Sequence, residues 1–286
     1  MLSTFDGLIR VGFDHGRFHV INARHFDRTI SYGLLRSAGG ISVAQRISFA
    51  SNECPRNWIA EFNKDLKTIG RPIELHPEDD LHEIAAFNGG ILYTSGRPPF
   101  LYFYRRGDRY PVQLENYLPT SFDGRCPGPD HRYHLNSIYA GNSAVFVLAH
   151  NWTFPSFLLK LRILQDGAFL RVCCAERIDG VGGQCHSICV TEDAIWTLSG
   201  TDSALSRIVG NHCEHIPLPN WNEPLFPRGI LCVGDVLLVG AGIAKGVRTE
   251  RHGSATVIAI YSMVDLRFVD IQTIGNFGNT CAMIPL

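Results

Sequence analysis

The chain has 286 residues, enough to bury a large core, and its 26 Lys and Arg residues against 27 Asp and Glu residues give a formal net charge of -1. This balance leaves no basic excess to attract a phosphate backbone, so we expect no nucleic-acid partner. The sequence shows neither a cationic N-terminal run followed by an apolar stretch nor about 18 uninterrupted apolar residues, which predicts a cytoplasmic protein without a membrane partner.

The first predicted element is a β-hairpin. Residues 8–13 and 17–21 are extended, largely apolar runs, and Asp14-His15-Gly16 between them is typical of a tight turn. This hairpin precedes the first full repeat of the chain.

From Tyr32 onward, one layout of residues occurs five times. Each copy starts with a reference residue, mostly polar, which an aliphatic residue follows at +2 and another at +9. The five triplets are Tyr32/Leu34/Ile41, His82/Ile84/Ile91, Asn136/Ile138/Val145, His186/Ile188/Ile195 and Arg228/Ile230/Leu237. The reference positions 32, 82, 136, 186 and 228 are separated by 50, 54, 50 and 42 residues.

Each copy contains four short, alternating β-branched strands joined by Gly, Asp and Asn turns, which excludes helical repeats of similar period. Units of about 40 to 50 residues with four strands are typical of propeller blades. We therefore predict an all-β fold, with residues 1–286 forming a single β-propeller. Residues 1–31 and 275–286 together suffice for one more blade, so six blades in a ring closed by both termini are expected, with five blades as the alternative.

This repeat layout resembles the broad group of six-bladed propellers that includes NHL-type repeats, gluconolactonase-like proteins and streptogramin lyase. The resemblance covers nearly the whole chain and implies the blade number. It identifies no specific family, and no catalytic residue of those proteins is carried over to this sequence, because propellers host many unrelated functions.

In a propeller, the first strand of every blade lines the central channel, so the five reference residues are expected to form a ring at its mouth, with Asn279 as a candidate sixth member. His134 precedes Asn136 by two residues and therefore lies on the same side of its strand. His82, His134 and His186 are then expected to converge. Three neutral imidazoles around an open position commonly hold a catalytic divalent metal, here zinc, manganese or iron. The alternatives are a metal-free polar substrate site and structural histidines.

Other candidate residues surround the same mouth. Arg228 would bind a substrate carboxylate or phosphate, with a salt bridge to an acidic loop residue as the alternative. Asn136 and Asn151 are further candidates for substrate binding, and Tyr32 or His150 for proton transfer. His150 and Asn151 equally fit a solvated loop.

The acidic run Glu78-Asp79-Asp80 before His82 would supply a general base or support a metal ligand, or it is simply a solvated turn. The nine cysteines are scattered without a C-x-x-C pair. Cys185 and Cys189 lie far apart along a strand axis, so we predict buried free thiols rather than a zinc site.

We interpret the chain as a metal-dependent enzyme of lyase or hydrolase type, because a metal-polarised carboxylate beside a base favours abstraction of the alpha proton. Its expected partner is an anionic small molecule, oligosaccharide or peptide. The alternatives are an iron-dependent oxygenase and a non-catalytic propeller that binds a ligand or another protein.

Overall fold

The computed structural model describes residues 1–27, 29–47, 56–77, 79–96, 100–114, 133–150, 155–167, 169–221, 223–243 and 251–286. Within these ranges the strands form six four-stranded antiparallel sheets, which confirms the predicted all-β propeller with six blades and shows that the five-blade alternative is wrong. No helix in the described ranges is long and apolar enough to cross a membrane.

The strands follow one another in chain order around the ring. The N-terminal strands are β1 (Leu2–Thr4), β2 (Gly7–Asp14) and β3 (Arg17–His25). Blade 1 consists of β4 (Thr29–Arg36), β5 (Ile41–Ile47), β6 (Asn57–Phe62) and β7 (Thr68–Glu74). Blade 2 consists of β8 (Leu81–Phe87), β9 (Gly90–Ser95), β10 (Leu101–Arg105) and β11 (Asp108–Val112).

The remaining blades repeat this order. Blade 3 consists of β12 (His134–Ala140), β13 (Val145–His150), β14 (Phe157–Asp166) and β15 (Phe169–Ile178). Blade 4 consists of β16 (His186–Val190), β17 (Ile195–Ser199), β18 (Ala204–Val209) and β19 (His212–Pro217). Blade 5 consists of β20 (Leu225–Val233), β21 (Val236–Ile243), β22 (Thr256–Ser262) and β23 (Phe268–Gly275), and the last strand is β24 (Thr280–Met283).

Blade 6 joins the two ends of the chain. Its strand order is β24-β1-β2-β3, with Leu2 opposite Met283 and Ser3 opposite Ala282. The predicted hairpin turn connects β2 to β3, and both His15 and Gly16 have the positive φ that a two-residue hairpin turn requires. Pairing the last strand with the first joins both ends of the chain in one blade and so closes the ring.

The hydrophobic core lies between neighbouring blades. Between blades 2 and 3, for example, Leu92 and Phe103 pack with Leu135, Val147 and Leu159, and all five side chains are buried. A four-stranded sheet of this size cannot bury its own faces, so each blade depends on its neighbours for its core.

A β-bulge interrupts the innermost strand of each repeated unit at the reference position or directly after it. The strand registers shift between Ser31 and Leu34, Leu81 and Ile84, Leu135 and Ser137, His186 and Ile188, and Pro227 and Gly229. A bulge removes a residue from the ladder and re-aims its side chain. The reference residue lies within the bulge in four units, whereas in blade 4 the bulged residue is Ser187, whose φ of 57° is left-handed.

Gly33 allows the innermost strands of blades 1 and 2 to approach closely. A Cβ at this position would lie 2.4 Å from Glu83 Oε1 and 2.8 Å from the backbone nitrogen of Ile84. We expect Gly33→Ala to lower the free energy of unfolding by about 2–3 kcal/mol, because neighbouring backbone must move to admit the methyl group. Denaturant unfolding measures this loss. Gly39→Ala is the matched control, since a Cβ at Gly39 meets nothing within 4 Å. Equal stability of the two variants would contradict the prediction.

Candidate functional site

Eight side chains, contributed by all six blades, contact one another in a closed circle around the central channel, and we call them the axial ring. In order they are Tyr32, His82, His134, His150, His186, Phe226, Arg228 and Phe5. The four histidines are consecutive, and their ring centroids are separated by 4.1, 5.0 and 5.4 Å. Four of the five reference residues predicted to form a ring belong to the axial ring, namely Tyr32, His82, His186 and Arg228, whereas Asn136 only contacts its member His186.

Asp80, His82 and His134 bring three possible metal-ligating atoms within 4.8 Å of one another. Asp80 Oδ2 lies 3.4 Å from His82 Nε2 and 3.7 Å from His134 Nδ1. The second carboxylate oxygen, Oδ1, forms an ion pair with Arg46, so the two oxygens of Asp80 have different neighbours. Two imidazoles and one carboxylate are a donor set that suits zinc, manganese or ferrous iron.

Gly96 makes room for this cluster. A Cβ at Gly96 would lie 2.2 Å from His134 Cε1 and 2.5 Å from Asp80 Oδ2, and the Gly96 N–H donates to the Asp80 carbonyl at 2.8 Å. The end of β9 therefore packs directly against two of the three candidate ligands. Any larger residue here would displace the imidazole or the carboxylate.

His186 stands apart from this cluster. Asn136 Nδ2 lies 2.7 Å from the Cys185 carbonyl oxygen and 2.7 Å from His186 Nδ1. Because the carbonyl can only accept, the amide nitrogen must face both atoms, and the neutral His186 imidazole then carries its proton on Nε2. The structure thus brings together two of the three predicted histidine ligands, with Asp80 rather than His186 beside them. Asn136 positions His186 in this arrangement.

Burial keeps two of the axial histidines, His134 and His186, neutral. It lowers the pKa of both His134 and His186 well below the ordinary value, and the neighbouring histidines and Arg228 act in the same direction. Arg46 lowers the pKa of His134 further. Neutral imidazoles are the form that binds a metal ion or accepts a proton.

Arg228 is a buried cation surrounded by aromatic rings. Its side chain is 7 % exposed, and the guanidinium carbon lies 5.4 Å from the Phe5 ring centroid, 5.8 Å from that of Tyr32 and 6.0 Å from that of Phe226. In the part of the chain that the structure describes, no carboxylate forms an ion pair with it. The salt bridge considered as the alternative for Arg228 is therefore not found among these residues. A buried guanidinium of this kind is suited to an anionic ligand.

Glu83 is a functional candidate that the sequence analysis missed. Burial raises its pKa to about 8, against the opposing effects of hydrogen bonds from the Ile84 and Leu34 N–H groups and of the Arg228 charge. Its position directly after His82, in the same bulge, is the signal that could have identified it. At neutral pH this carboxyl group is mostly protonated and does not neutralise Arg228.

The remaining predicted residues have distinct positions. Tyr32 Oη accepts a hydrogen bond of 2.7 Å from Arg46 Nη2, and its ring contacts His82. His150 lies opposite His134 in the β12–β13 register and bridges it to His186. Asn151 lies outside the described residues.

Asn279 is fully buried; its side-chain Oδ1 accepts a hydrogen bond from Ser254 Oγ, and its carbonyl oxygen accepts one from the Phe5 N–H. Within the acidic run, Glu78 lies outside the described residues, and Asp79 binds Arg109 and Tyr93. Of the two described residues in this acidic run, only Asp80 contacts members of the axial ring.

A second group that the sequence analysis missed lies beside Phe5. His252 Nδ1 donates to Asp6 Oδ1 at 2.5 Å, and the Gly253 N–H donates to Asp6 Oδ2 at 2.6 Å. The His252 and Phe5 rings are in edge contact at 5.5 Å. These residues are outside the repeated layout, so nothing in the repeat signals their place.

Comparison of the sequence with protein-family models and with curated proteins gives no match. Comparison with solved structures finds other β-propellers. A chain of the nidogen–laminin complex is 10 % identical, with a TM-score of 0.61 over 98 % of this chain and 95 % of that one. The WD40 domain of Pan2 from Neurospora crassa is 10 % identical, with a TM-score of 0.50 over 86 % and 67 %. Virginiamycin B lyase from Staphylococcus aureus is 15 % identical, with a TM-score of 0.49 over 86 % and 69 %. Likeness at these identities shows the fold alone.

Proposed function

We propose that this protein is a metal-dependent enzyme of lyase or hydrolase type that acts on a small or oligomeric anionic substrate at the axial ring. The observation that carries the proposal is the presence, in one ring, of the Asp80, His82 and His134 cluster and the buried cation Arg228. The cluster would hold a divalent ion, and Arg228 would hold the charged group of the substrate.

The donor atoms support zinc, manganese or iron as the ion. Three protein ligands leave at least one coordination position for water or substrate, as catalytic sites require. A divalent ion bound there would polarise a substrate carboxylate or activate a water molecule. The lowered pKa of His134 supports this role, because its imidazole stays available as a ligand into the acidic range.

Arg228 and its neighbours support an anionic substrate. A guanidinium forms two parallel hydrogen bonds with a carboxylate or phosphate group, and burial strengthens the charge interaction. The rings of Phe5, Tyr32 and Phe226 around it would contact the apolar part of the same molecule. Small carboxylates, uronate oligosaccharides, acidic peptides and phosphate esters all fit this chemistry.

Two side chains are candidates for proton transfer. The His150 ring centroid lies 5.0 Å from that of His134, and the Tyr32 centroid lies 4.8 Å from that of His82. In a lyase reaction, one of them would remove the proton alpha to the bound carboxylate, and the leaving group would depart from the next carbon. In a hydrolase reaction, the same group would accept a proton from the attacking water.

The proposal is tested by turnover of defined substrates. Protein loaded with Mn²⁺ or Zn²⁺ is incubated with uronate oligosaccharides, small dicarboxylates and phosphate monoesters, and products are detected as new alkenes or released alcohols. We expect turnover that chelation abolishes, and a kcat/KM about 100-fold lower in Arg228→Gln, because a buried charge pair with the substrate is lost. Arg71→Gln changes an exposed arginine in the same way and is expected to keep full activity. Turnover that survives both chelation and Arg228→Gln would overturn the proposal.

A non-catalytic anion-binding propeller is the second candidate. Arg46 and Arg228 lie at the axial ring with the carboxylate of Asp80, and Arg251 contacts the Phe226 ring, while Glu83 is mostly protonated at neutral pH. This excess of positive charge favours an anion even without a metal ion. Titration calorimetry with phosphate and citrate separates the two candidates. Anion binding that requires Arg228, is unaffected by a chelator and occurs without turnover would favour a non-catalytic anion-binding protein.

An iron-dependent oxygenase is supported by the donor set itself, because two histidines and one carboxylate also hold ferrous iron in oxygen-activating enzymes. Oxygen consumption by the Fe²⁺-loaded protein with the same substrates would favour this chemistry. Its absence, with turnover by the Zn²⁺-loaded protein, would favour a hydrolase or lyase.

A further inference from the structure

Two cysteines from adjacent blades face each other away from the axial ring. Cys189 lies in β16 of blade 4 and Cys232 lies in β20 of blade 5, and their sulfur atoms are 3.1 Å apart. Both are free thiols and partly buried, at the edge of the apolar cluster that joins the two blades. No other pair of described cysteines has a sulfur–sulfur contact of this kind.

The backbones of the two strands are already held together close to this pair. Ser187 Oγ donates a hydrogen bond to the Arg228 carbonyl, two residues before Cys189 and four residues before Cys232. A disulfide needs a sulfur–sulfur distance of about 2.05 Å, so the sulfurs must approach by roughly 1 Å. Rotation of the two side chains is the movement that would bring the sulfurs together.

We propose that Cys189 and Cys232 form a reversible disulfide between blades 4 and 5, with a small disulfide such as oxidised glutathione as the oxidant. In the first step the Cys189 thiolate attacks one sulfur of oxidised glutathione and releases one glutathione thiolate. Cys232 then loses its proton to solvent and attacks Cys189 Sγ, which releases the second glutathione. Two protein thiols are oxidised, one glutathione disulfide is reduced, and two glutathione molecules leave.

The hydrogen bond between the sulfurs supports this order of attack. It lowers the pKa of Cys189 and raises that of Cys232, and burial adds to the rise at Cys232. The thiolate is the nucleophile in disulfide exchange, so Cys189 is the attacking residue and Cys232 the resolving residue.

Thiol counting and peptide mapping test the proposal directly. Folded, reduced protein is equilibrated in a series of ratios of reduced to oxidised glutathione, and the remaining thiols are trapped by alkylation. We expect the loss of two of the nine thiols, a cross-linked peptide pair containing Cys189 and Cys232, and full recovery with dithiothreitol. The midpoint of thermal unfolding of the oxidised form is expected to rise by about 5 °C or more, because the bond restricts the unfolded chain.

Two variants make the result specific. Cys232→Ser is expected to stop at a single bound glutathione on Cys189, because the resolving thiol is absent. The double variant Cys173→Ser/Cys174→Ser removes two exposed thiols and is expected to form the same inter-blade bond as the wild-type protein. The proposal is overturned if folded protein forms no bond between Cys189 and Cys232 at any ratio, or if mapping assigns the lost thiols to other cysteines.

Discussion

The His134→Ala variant is expected to lose the bound divalent ion, whereas the His186→Ala variant is expected to keep it. His134 Nδ1 faces Asp80 Oδ2 together with His82 Nε2, so its removal leaves two ligands. His186 Nδ1 is instead bound by the Asn136 amide and is not part of this cluster. We expect the affinity for Zn²⁺ or Mn²⁺ to fall about 100-fold or more in His134→Ala and to change little in His186→Ala.

Untagged protein gives the cleanest measurement, because affinity tags bind metals. Elemental analysis of the purified variants and calorimetric titration of the chelator-treated proteins report occupancy and affinity, and circular dichroism reports the fold. Loss of the ion in His186→Ala with retention in Asp80→Asn would contradict the cluster and support a three-histidine site. Absence of metal from the wild-type protein after incubation with zinc, manganese and ferrous iron would overturn the metal site altogether.

The Glu83→Gln variant is expected to gain stability over the wild-type protein as the pH rises. Burial raises the pKa of Glu83 from its ordinary value of 4.5 to about 8 in the folded protein. Between these values the folded state holds a proton that the unfolded state has released. The contribution of this carboxyl group is therefore fully present below about pH 4.5 and is lost as the pH rises towards 8. The difference in unfolding free energy between variant and wild type should grow by up to about 1.4 kcal/mol per pH unit, and by up to about 5 kcal/mol in total.

Urea unfolding of both proteins at several pH values between 5 and 9, after treatment with a chelator, measures this difference. All other titratable residues are the same in both proteins, so the comparison isolates the effect of the Glu83 carboxyl group. Glu192→Gln is the matched control, since it makes the same chemical change at an exposed site in the turn between β16 and β17. A Glu83→Gln variant whose stability follows the wild-type pH dependence would show that the carboxyl group is ionised in the folded protein.

The repeat was visible in the sequence because blade packing and strand turns repeat with it. The aliphatic residues at +2 and +9 are core positions, and the turns need glycine, aspartate or asparagine, so both leave a periodic signal. The closure of the ring followed from length alone, and the structure confirms six blades.

The contacts within the axial ring could not be predicted in the same way. Asp80 precedes the reference position and belongs to an acidic run that looks like a solvated turn. Arg46 comes from a second strand, and its ion pair with Asp80 joins blades 1 and 2. No other repeat has an aspartate two residues before its reference position or an arginine 14 residues after it. Side-chain direction at a bulge, and the ring nitrogen that a histidine presents, depend on local backbone geometry that spacing does not encode.

The bulges in the innermost strands also bear on how this scaffold could acquire new chemistry. Each of these bulges takes a residue whose side chain faces the channel out of the regular strand ladder of its blade. Tyrosine, histidine, asparagine and arginine occupy this one position in four blades of the same architecture. Evolution or protein engineering can therefore replace the side chain at one of these positions with another recognition group while the strand pairing of the blade stays the same.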